Sequence, residues 1–135
     1  MLVLVDIDGT LALRSGRNPF DWKRVHTDQP NLPVVSCVRA LSNQGFEIVF
    51  VTGREEFLRE STMEWIQKHV GVDGRLMMRA TGDYRPDVVV KSAFIEQGAI
   101  DPRDVLLVFD DRDSIVEMWR EQFGFVCFQV AQGDF

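Results

Sequence analysis

Apolar residues fall in short runs at Leu2–Asp6, Glu47–Thr52, Val105–Asp110 and Phe125–Val130, with a weaker run at Arg75–Met78. Runs of this length, rich in Val, Leu, Ile and Phe and without polar alternation, predict strands covered on both faces. The stretches between them carry helical spacing. Pro33 suits a first helical turn, Val34, Val38 and Leu41 share a face, and Gly45 is placed to end that helix. Glu55–Val70 sets Leu58, Ile66 and Val70 on one stripe beside Trp65, with Gly71 as the stop. Asp113–Phe123 repeats the scheme with Ile115, Trp119 and Phe123 before Gly124, and Val88–Gln97 is a further short helix. Strands alternating with helices predict an α/β fold: a mostly parallel sheet with helices on both faces. No repeat or low-complexity linker breaks the pattern, so residues 1–135 are expected to form one domain.

Three predicted strands end alike. Val3-Leu4-Val5 runs into Asp6, Val49-Phe50-Val51 into Thr52, and Leu107-Val108-Phe109 into Asp110-Asp111. Sites in open parallel sheets form outside the carboxyl ends of the strands, so these polar groups are expected to converge on one crevice. Strands turn polar wherever they surface, which explains one such ending but poorly explains acid pairs at two of them. Asp6-Ile7-Asp8-Gly9-Thr10 delivers two carboxylates, at i and i+2, into a glycine-containing turn. Acids so placed repel unless a divalent cation or a reaction uses them; an Asp-rich turn without chemistry is the alternative. Thr52-Gly53-Arg54 reads as a turn before a helix, bringing a hydroxyl, closely approaching amides and a guanidinium to phosphate oxygens. Lys91 lies near a helix start, where a solvated lysine is the plainer reading. Arg17, in Arg14-Ser15-Gly16-Arg17, either reaches over the crevice or solubilises a loop.

Composition narrows the field. A hydrophobic content of 45% is ordinary for a globular chain, and no apolar stretch nears the roughly 18 residues of a membrane span. The N-terminal apolar run is too short for a signal peptide and lacks a positive flank. Cys37 and Cys127 stand far apart within apolar patterns, which predicts buried free thiols and a reducing, cytoplasmic setting. His26 and His69 share no metal-ligand spacing with them. A net charge of −6 argues against a broad nonspecific nucleic-acid surface. A site gripping one terminal phosphate with a few local cations remains compatible with it.

Taken in order, Asp6-Ile7-Asp8-Gly9-Thr10, Thr52, Lys91 and Asp110-Asp111 resemble the four motifs of the haloacid dehalogenase-like (HAD-like) phosphohydrolases. A closer resemblance spans essentially the whole chain. Gly16-Arg17-Asn18-Pro19-Phe20-Asp21, Val51-Thr52-Gly53-Arg54-Glu55, Asp110-Asp111-Arg112, Val116-Glu117-Met118-Trp119-Arg120 and Gln129-Val130-Ala131-Gln132-Gly133-Asp134-Phe135 look like the 3′-phosphatase domain of phage polynucleotide kinase/phosphatase. This implies a Rossmann-like, HAD-like sheet; no insertion is long enough to build a large cap domain. The two-function enzymes carry a kinase P-loop, and no G-x-x-x-x-G-K-[ST] occurs here, so a stand-alone phosphatase without 5′-kinase activity is expected.

The resemblance also implies roles. Asp6 would be the nucleophile, forming an aspartyl-phosphate, and Asp8 the general acid and base. Mg²⁺ would be held by the Asp6 carboxylate, the Asp8 backbone carbonyl and the Asp110-Asp111 pair, with Asp111 favoured as a direct ligand. Thr52, Gly53 and Lys91 would neutralise phosphoryl oxygens, with Arg17 and Arg54 as additional clamps. Thr10 would support the first turn, and Asp87 would orient Lys91 or a loop arginine. The expected function is Mg²⁺-dependent removal of 3′-phosphates from DNA or RNA ends, with 2′,3′-cyclic phosphates of RNA as a further implied substrate. A crevice without a large cap suits a macromolecular end. Arg79, Arg85, Phe20 and Trp22 either contact the terminal nucleotide or are surface charge and half-buried aromatics. Competing readings are a phosphatase of nucleotides or other small phosphomonoesters, and a catalytically silent binding module. Asp8 weighs against the latter, because binding alone needs no acid/base group.

Overall fold

The computed structural model describes residues 1–135. The first half contains β1 (Leu2–Val5), β2 (Ala12–Leu13), β3 (Gln29–Pro30), α1 (Leu32–Asn43), β4 (Glu47–Glu55) and α2 (Arg59–His69). The second half adds β5 (Gly74–Arg79), α3 (Asp87–Glu96), β6 (Val105–Asp110), α4 (Asp113–Glu117) and β7 (Cys127–Gln129). Five strands form one parallel sheet in the order β5-β4-β1-β6-β7, and β2 pairs antiparallel with β3 in a separate ribbon. The sheet order makes β4, β1 and β6 neighbours, so the three polar strand endings do meet at one edge.

Successive strand residues face opposite sides, so the apolar run of β1 serves two cores. Val3 and Val5 pack with Val35 and Val38 of α1 and Trp65 and Ile66 of α2. Leu2 and Leu4 pack on the other side with Ile95 of α3, Ile115 and Val116 of α4, and Trp119. Helices therefore cover both faces, and β1 is shielded throughout. Burying each large aliphatic side chain is worth roughly 1.5–3 kcal/mol, so this layered packing anchors the strand that carries Asp6.

Several elements differ from their sequence expectation. Thr52-Gly53-Arg54 is not a turn: β4 runs extended to Glu55, and α2 starts at Arg59 after a 3₁₀ turn over Glu56–Leu58. Its pairing with β5 is irregular between Val51 and Glu55. There Thr52 Oγ1 accepts from the Arg54 amide and Gly53 O from Arg79 Nε, so side chains replace the missing ladder bonds. The last helix changes after α4 to π-helical geometry over Met118–Gln122. As an edge strand, β7 buries Cys127 but exposes Val126 and Phe128 beside it, contrary to the two-faced burial expected of that run. Cys37 is exposed on α1, not buried, because it points away from the stripe that packs on the sheet. Burial pushes the Cys127 thiol up to about 12. The β2–β3 ribbon and a 3₁₀ segment over Trp22–Thr27 lay no periodic signal in the sequence. No helix is long and apolar enough to cross a membrane.

Candidate active site

At the carboxyl ends of β1, β4 and β6 lies a cleft of about 970 Å³. Asp6, Asp8, Gly53, Arg54, Lys91, Asp110 and Asp111 all line it, as do Arg17 and Asp87. Thr52 and Thr10 are fully buried immediately behind.

Two sets of charges occupy the cleft. The first surrounds Asp6, whose side chain is 8% exposed. Lys91 Nζ donates to Asp6 Oδ1 at 2.7 Å and to Asp110 Oδ2 at 3.2 Å. The Thr10 hydroxyl donates to Asp6 Oδ2 at 2.9 Å and lies 3.2 Å from Asp111 Oδ1. Trp119 Nε1 also donates to Asp110 Oδ2, while Asp110 Oδ1 accepts from the Asp111 amide. Asp110 is thus held on both oxygens by protein donors, whereas Asp111 keeps an oxygen free of them. Burial and then the Asp110 charge push the Asp6 carboxyl well above the usual carboxylate range. Burial also raises the Asp111 carboxyl above its ordinary value. For Lys91, burial alone would weaken the ammonium, but Asp110 and Asp6 outweigh it and hold the group well above its ordinary value.

Asp6, Asp110 and Asp111 are all buried and place one carboxylate oxygen each within 4.8 Å of the others. Three buried hard-oxygen donors with one ammonium leave two negative charges uncompensated, which fits a divalent cation such as Mg²⁺. The Asp8 carboxylate stands outside this group. Gly9 makes the approach possible: its φ is 83°, and a Cβ there would collide with the Asp111 carboxylate.

The second set surrounds Asp8. Arg54 makes a fork, with Nε on Asp8 Oδ2 at 2.9 Å and Nη2 on Oδ1 at 2.8 Å, and its Nη1 donates to Thr62 at 3.1 Å. Arg17 Nη2 lies 3.7 Å from Asp8 Oδ1. Behind both arginines sits Asp28, which receives Arg17 Nε and Nη2 at 2.7 and 2.9 Å and lies 3.5 Å from Arg54. Asp28 raises the Arg17 guanidinium further above its ordinary value. Its own backbone is fixed by Trp65 Nε1, 3.0 Å from Asp28 O. The Trp22 ring lies beside both guanidinium groups, 5.4 Å from Arg17 and 5.9 Å from Arg54. Arg17 is therefore a buried member of the cleft and not a loop solubiliser.

Asp87 does not touch Lys91. It accepts from Arg79 and, at 2.9 Å, from Arg112 Nη1, so of its two expected partners the arginines are the ones found. Gly53 permits this, since a Cβ there would stand 2.6 Å from Asp87 Oδ1. Arg79 spends its remaining donors on Gly53 O, Asp83 O and Arg85 O, and Arg85 pairs with Asp83 at the surface. Neither arginine lines the cleft. Asp28 and Thr62 belong to the site without having been singled out in the sequence, and Arg112 and Phe135, which stood in the motifs, had no role assigned there. Asp28 lay in Thr27-Asp28-Gln29-Pro30, which reads as an ordinary turn.

The family model for the polynucleotide kinase PNKP phosphatase domain matches residues 1–135. A protein of Autographa californica nuclear polyhedrosis virus, named as a bifunctional polynucleotide kinase/RNA ligase, is 35% identical over 122 residues. That match covers 88% of this chain and 18% of the viral protein. A chain in the structure of the Pnkp1/Rnl/Hen1 RNA repair complex superposes with a TM-score of 0.91 at 36% identity. There 98% of this chain is matched and 43% of the other, so this chain spans less than half the length of these relatives. A hypothetical protein from Xanthomonas campestris, at 19% identity and a TM-score of 0.51, shares the fold. The chain belongs to the HAD-like polynucleotide kinase phosphatase domain family.

Proposed function

We propose that this member of the PNKP phosphatase domain family is a Mg²⁺-dependent polynucleotide 3′-phosphatase acting through an aspartyl-phosphate on Asp6. The observation that carries the reading is the position of Asp6 in the cleft: Lys91 at 2.7 Å on one side, two further buried carboxylates on another, and Asp8 held by paired arginines nearby. The RNA repair complex that contains the structural relative supports nucleic-acid ends, RNA among them, as the substrate class.

Asp6, Asp110 and Asp111 would hold the cation, which supplies the positive charge that lets all three ionise together and offsets charge on the phosphoryl oxygens. An Asp6 carboxylate oxygen attacks phosphorus in line, and the P–O3′ bond breaks. Lys91 faces the negative charge that spreads over the transferring group. Asp8 gives its proton to O3′, and then takes one from the water that hydrolyses the acyl phosphate and regenerates Asp6. An incoming phosphate competes with Asp8 for Arg54, which forks both of its carboxylate oxygens, and for Arg17 beside it. Thr10 and Asp87 support these groups, Thr10 through Asp6 and Asp87 through Arg112.

The test is phosphate release from DNA and RNA oligonucleotides phosphorylated at one end only, beside free nucleotides, in Mg²⁺ and in chelator. Mg²⁺-dependent release from 3′ ends, with 5′ ends poor, is expected. Equal use of both ends, or preference for free nucleotides, overturns the 3′-end reading in favour of a small-phosphomonoester phosphatase.

A further inference from the structure

Five cations line the cleft: Arg14, Arg17, Arg54, Lys91 and Arg112. Four have carboxylate partners inside the protein: Asp28 and Asp8 for Arg17 and Arg54, Asp6 and Asp110 for Lys91, and Asp87 for Arg112. Arg14 alone has none. It is exposed and carries its charge into the cleft uncompensated. Two of the most exposed large apolar side chains border the same space. Phe20 is 82% and Phe135 70% exposed, and both line the cleft, although they come from distant parts of the chain. Phe135 is fixed there: its main-chain oxygen accepts from Arg112 Nε at 3.0 Å, and its ring lies 5.4 Å from the same guanidinium. The neighbouring tail is tied to the Asp111 loop by the Asp113 amide on Gly133 O. Trp22, by contrast, lies beside Arg17 and Arg54 and is not a free platform.

We propose that Arg14, Phe20 and Phe135 form a subsite for the last nucleotide of the substrate strand, with the aromatic rings stacking on the terminal base and Arg14 pairing with the phosphodiester on its 5′ side. This rests on the 3′-end reading and specifies how much of the strand is held. A cleft of about 970 Å³ is large for a phosphate alone and matches the upper range of small-ligand pockets, which leaves room for a nucleoside. Stacking on Phe tolerates every base, so recognition by this subsite is independent of sequence. One unpaired cation accounts for one internucleotide phosphate, which agrees with a chain whose net charge of −6 gives no wider grip.

The experiment compares kcat/KM for four substrates at fixed salt: p-nitrophenyl phosphate, a 3′-mononucleotide, a trinucleotide 3′-phosphate, and the same trinucleotide with an abasic last residue. In Phe20→Ala and Phe135→Ala, the preference for the base-bearing over the abasic trinucleotide falls about tenfold, within the range of single stacking contacts. In Arg14→Ala, the preference for trinucleotide over mononucleotide falls, and the salt dependence of KM drops by about 0.7 in log–log slope. Arg14→Lys and Phe20→Tyr restore the preferences. Wild-type protein that hydrolyses 3′-phosphate ends, with these ratios unchanged in every variant, overturns the subsite alone. Equal losses on all four substrates also overturn it, by placing the residues in the reacting centre or the fold. Wild-type protein inactive on every 3′-phosphate overturns the 3′-end reading and the subsite with it.

Discussion

The two halves of the cleft differ in how their charge is balanced. Around Asp6, three buried carboxylates share one ammonium, and the site is two charges short of neutrality. Around Asp8, two carboxylates face two arginines, and the count closes. In the first set burial and neighbouring carboxylates raise the Asp6 and Asp111 carboxyls above the usual range; the second is a closed network of forked, charge-assisted hydrogen bonds. An under-compensated cluster is built to take up a cation from outside. A closed one is built to be rearranged, because an arriving anion has to compete with Asp8 for Arg54. Residues two apart in the sequence thus sit in opposite electrostatic settings.

The comparison breaks most directly at the two aspartates. Asp6→Asn is expected to lower turnover by at least about 10⁴-fold, as the loss of a nucleophile does. Asp8→Asn is expected to cost about 10²–10⁴-fold on a 3′-phosphate end, and less on an aryl phosphate whose leaving group needs no proton. Steady-state kinetics on both substrates check this. An Asp8→Asn enzyme as impaired on the aryl ester as on the nucleotide would remove Asp8 as the acid.

A structural effect of smaller size is expected at Asp28. Its side chain is fully shielded and neutralises two arginines, so Asp28→Ala leaves two buried charges with Asp8 as their only carboxylate partner. Breaking a buried ion pair from one side costs about 3–5 kcal/mol, which urea denaturation would read. Exposed pairs such as Arg103–Asp101 should cost almost nothing when broken. If Asp28→Ala unfolds at the wild-type midpoint, the second cluster is not the closed network its geometry describes.

The smallest effect sharpens the first cluster. Asp6 and Asp111 have carboxyls raised in the native protein, so the native state binds more protons than the unfolded chain through the window above the ordinary carboxylate range. Their contribution to stability in chelator is present at low pH and is lost as pH rises through the raised values. Asp111→Asn should flatten that decline. Mg²⁺ should restore stability at neutral pH, by about 2.7 kcal/mol at a hundredfold excess over Kd, and do less near pH 5. Thermal melts of both proteins across pH, with and without Mg²⁺, measure it. A Mg²⁺ effect of equal size in wild type and Asp111→Asn would mean that Asp111 is not a ligand.

Much of this was open to reading along the chain. Strand and helix identity followed from the spacing of apolar residues, because one buried face imposes a period that local composition must satisfy. The strand endings placed Asp6, Thr52 and Asp110-Asp111 at one edge, because a parallel sheet aligns the ends of its strands. Glycine at position 9 was visible as a turn, though its close approach to Asp111 was not. What the sequence could not determine is which charge neutralises which. Asp28 offered no signal beyond that of a turn, and Arg17 stood equally for a group over the crevice or a loop cation, until the segment between β2 and β3 folded over Arg54 and brought them together. The extension of β4 through Thr52-Gly53-Arg54 likewise depends on Arg79 and Asp8, 26 and 46 residues away. Periodicity is set by each residue and its near neighbours, and so it is written in the sequence. Charge pairing is set by distance in space and by shielding from water, and only the tertiary structure supplies both.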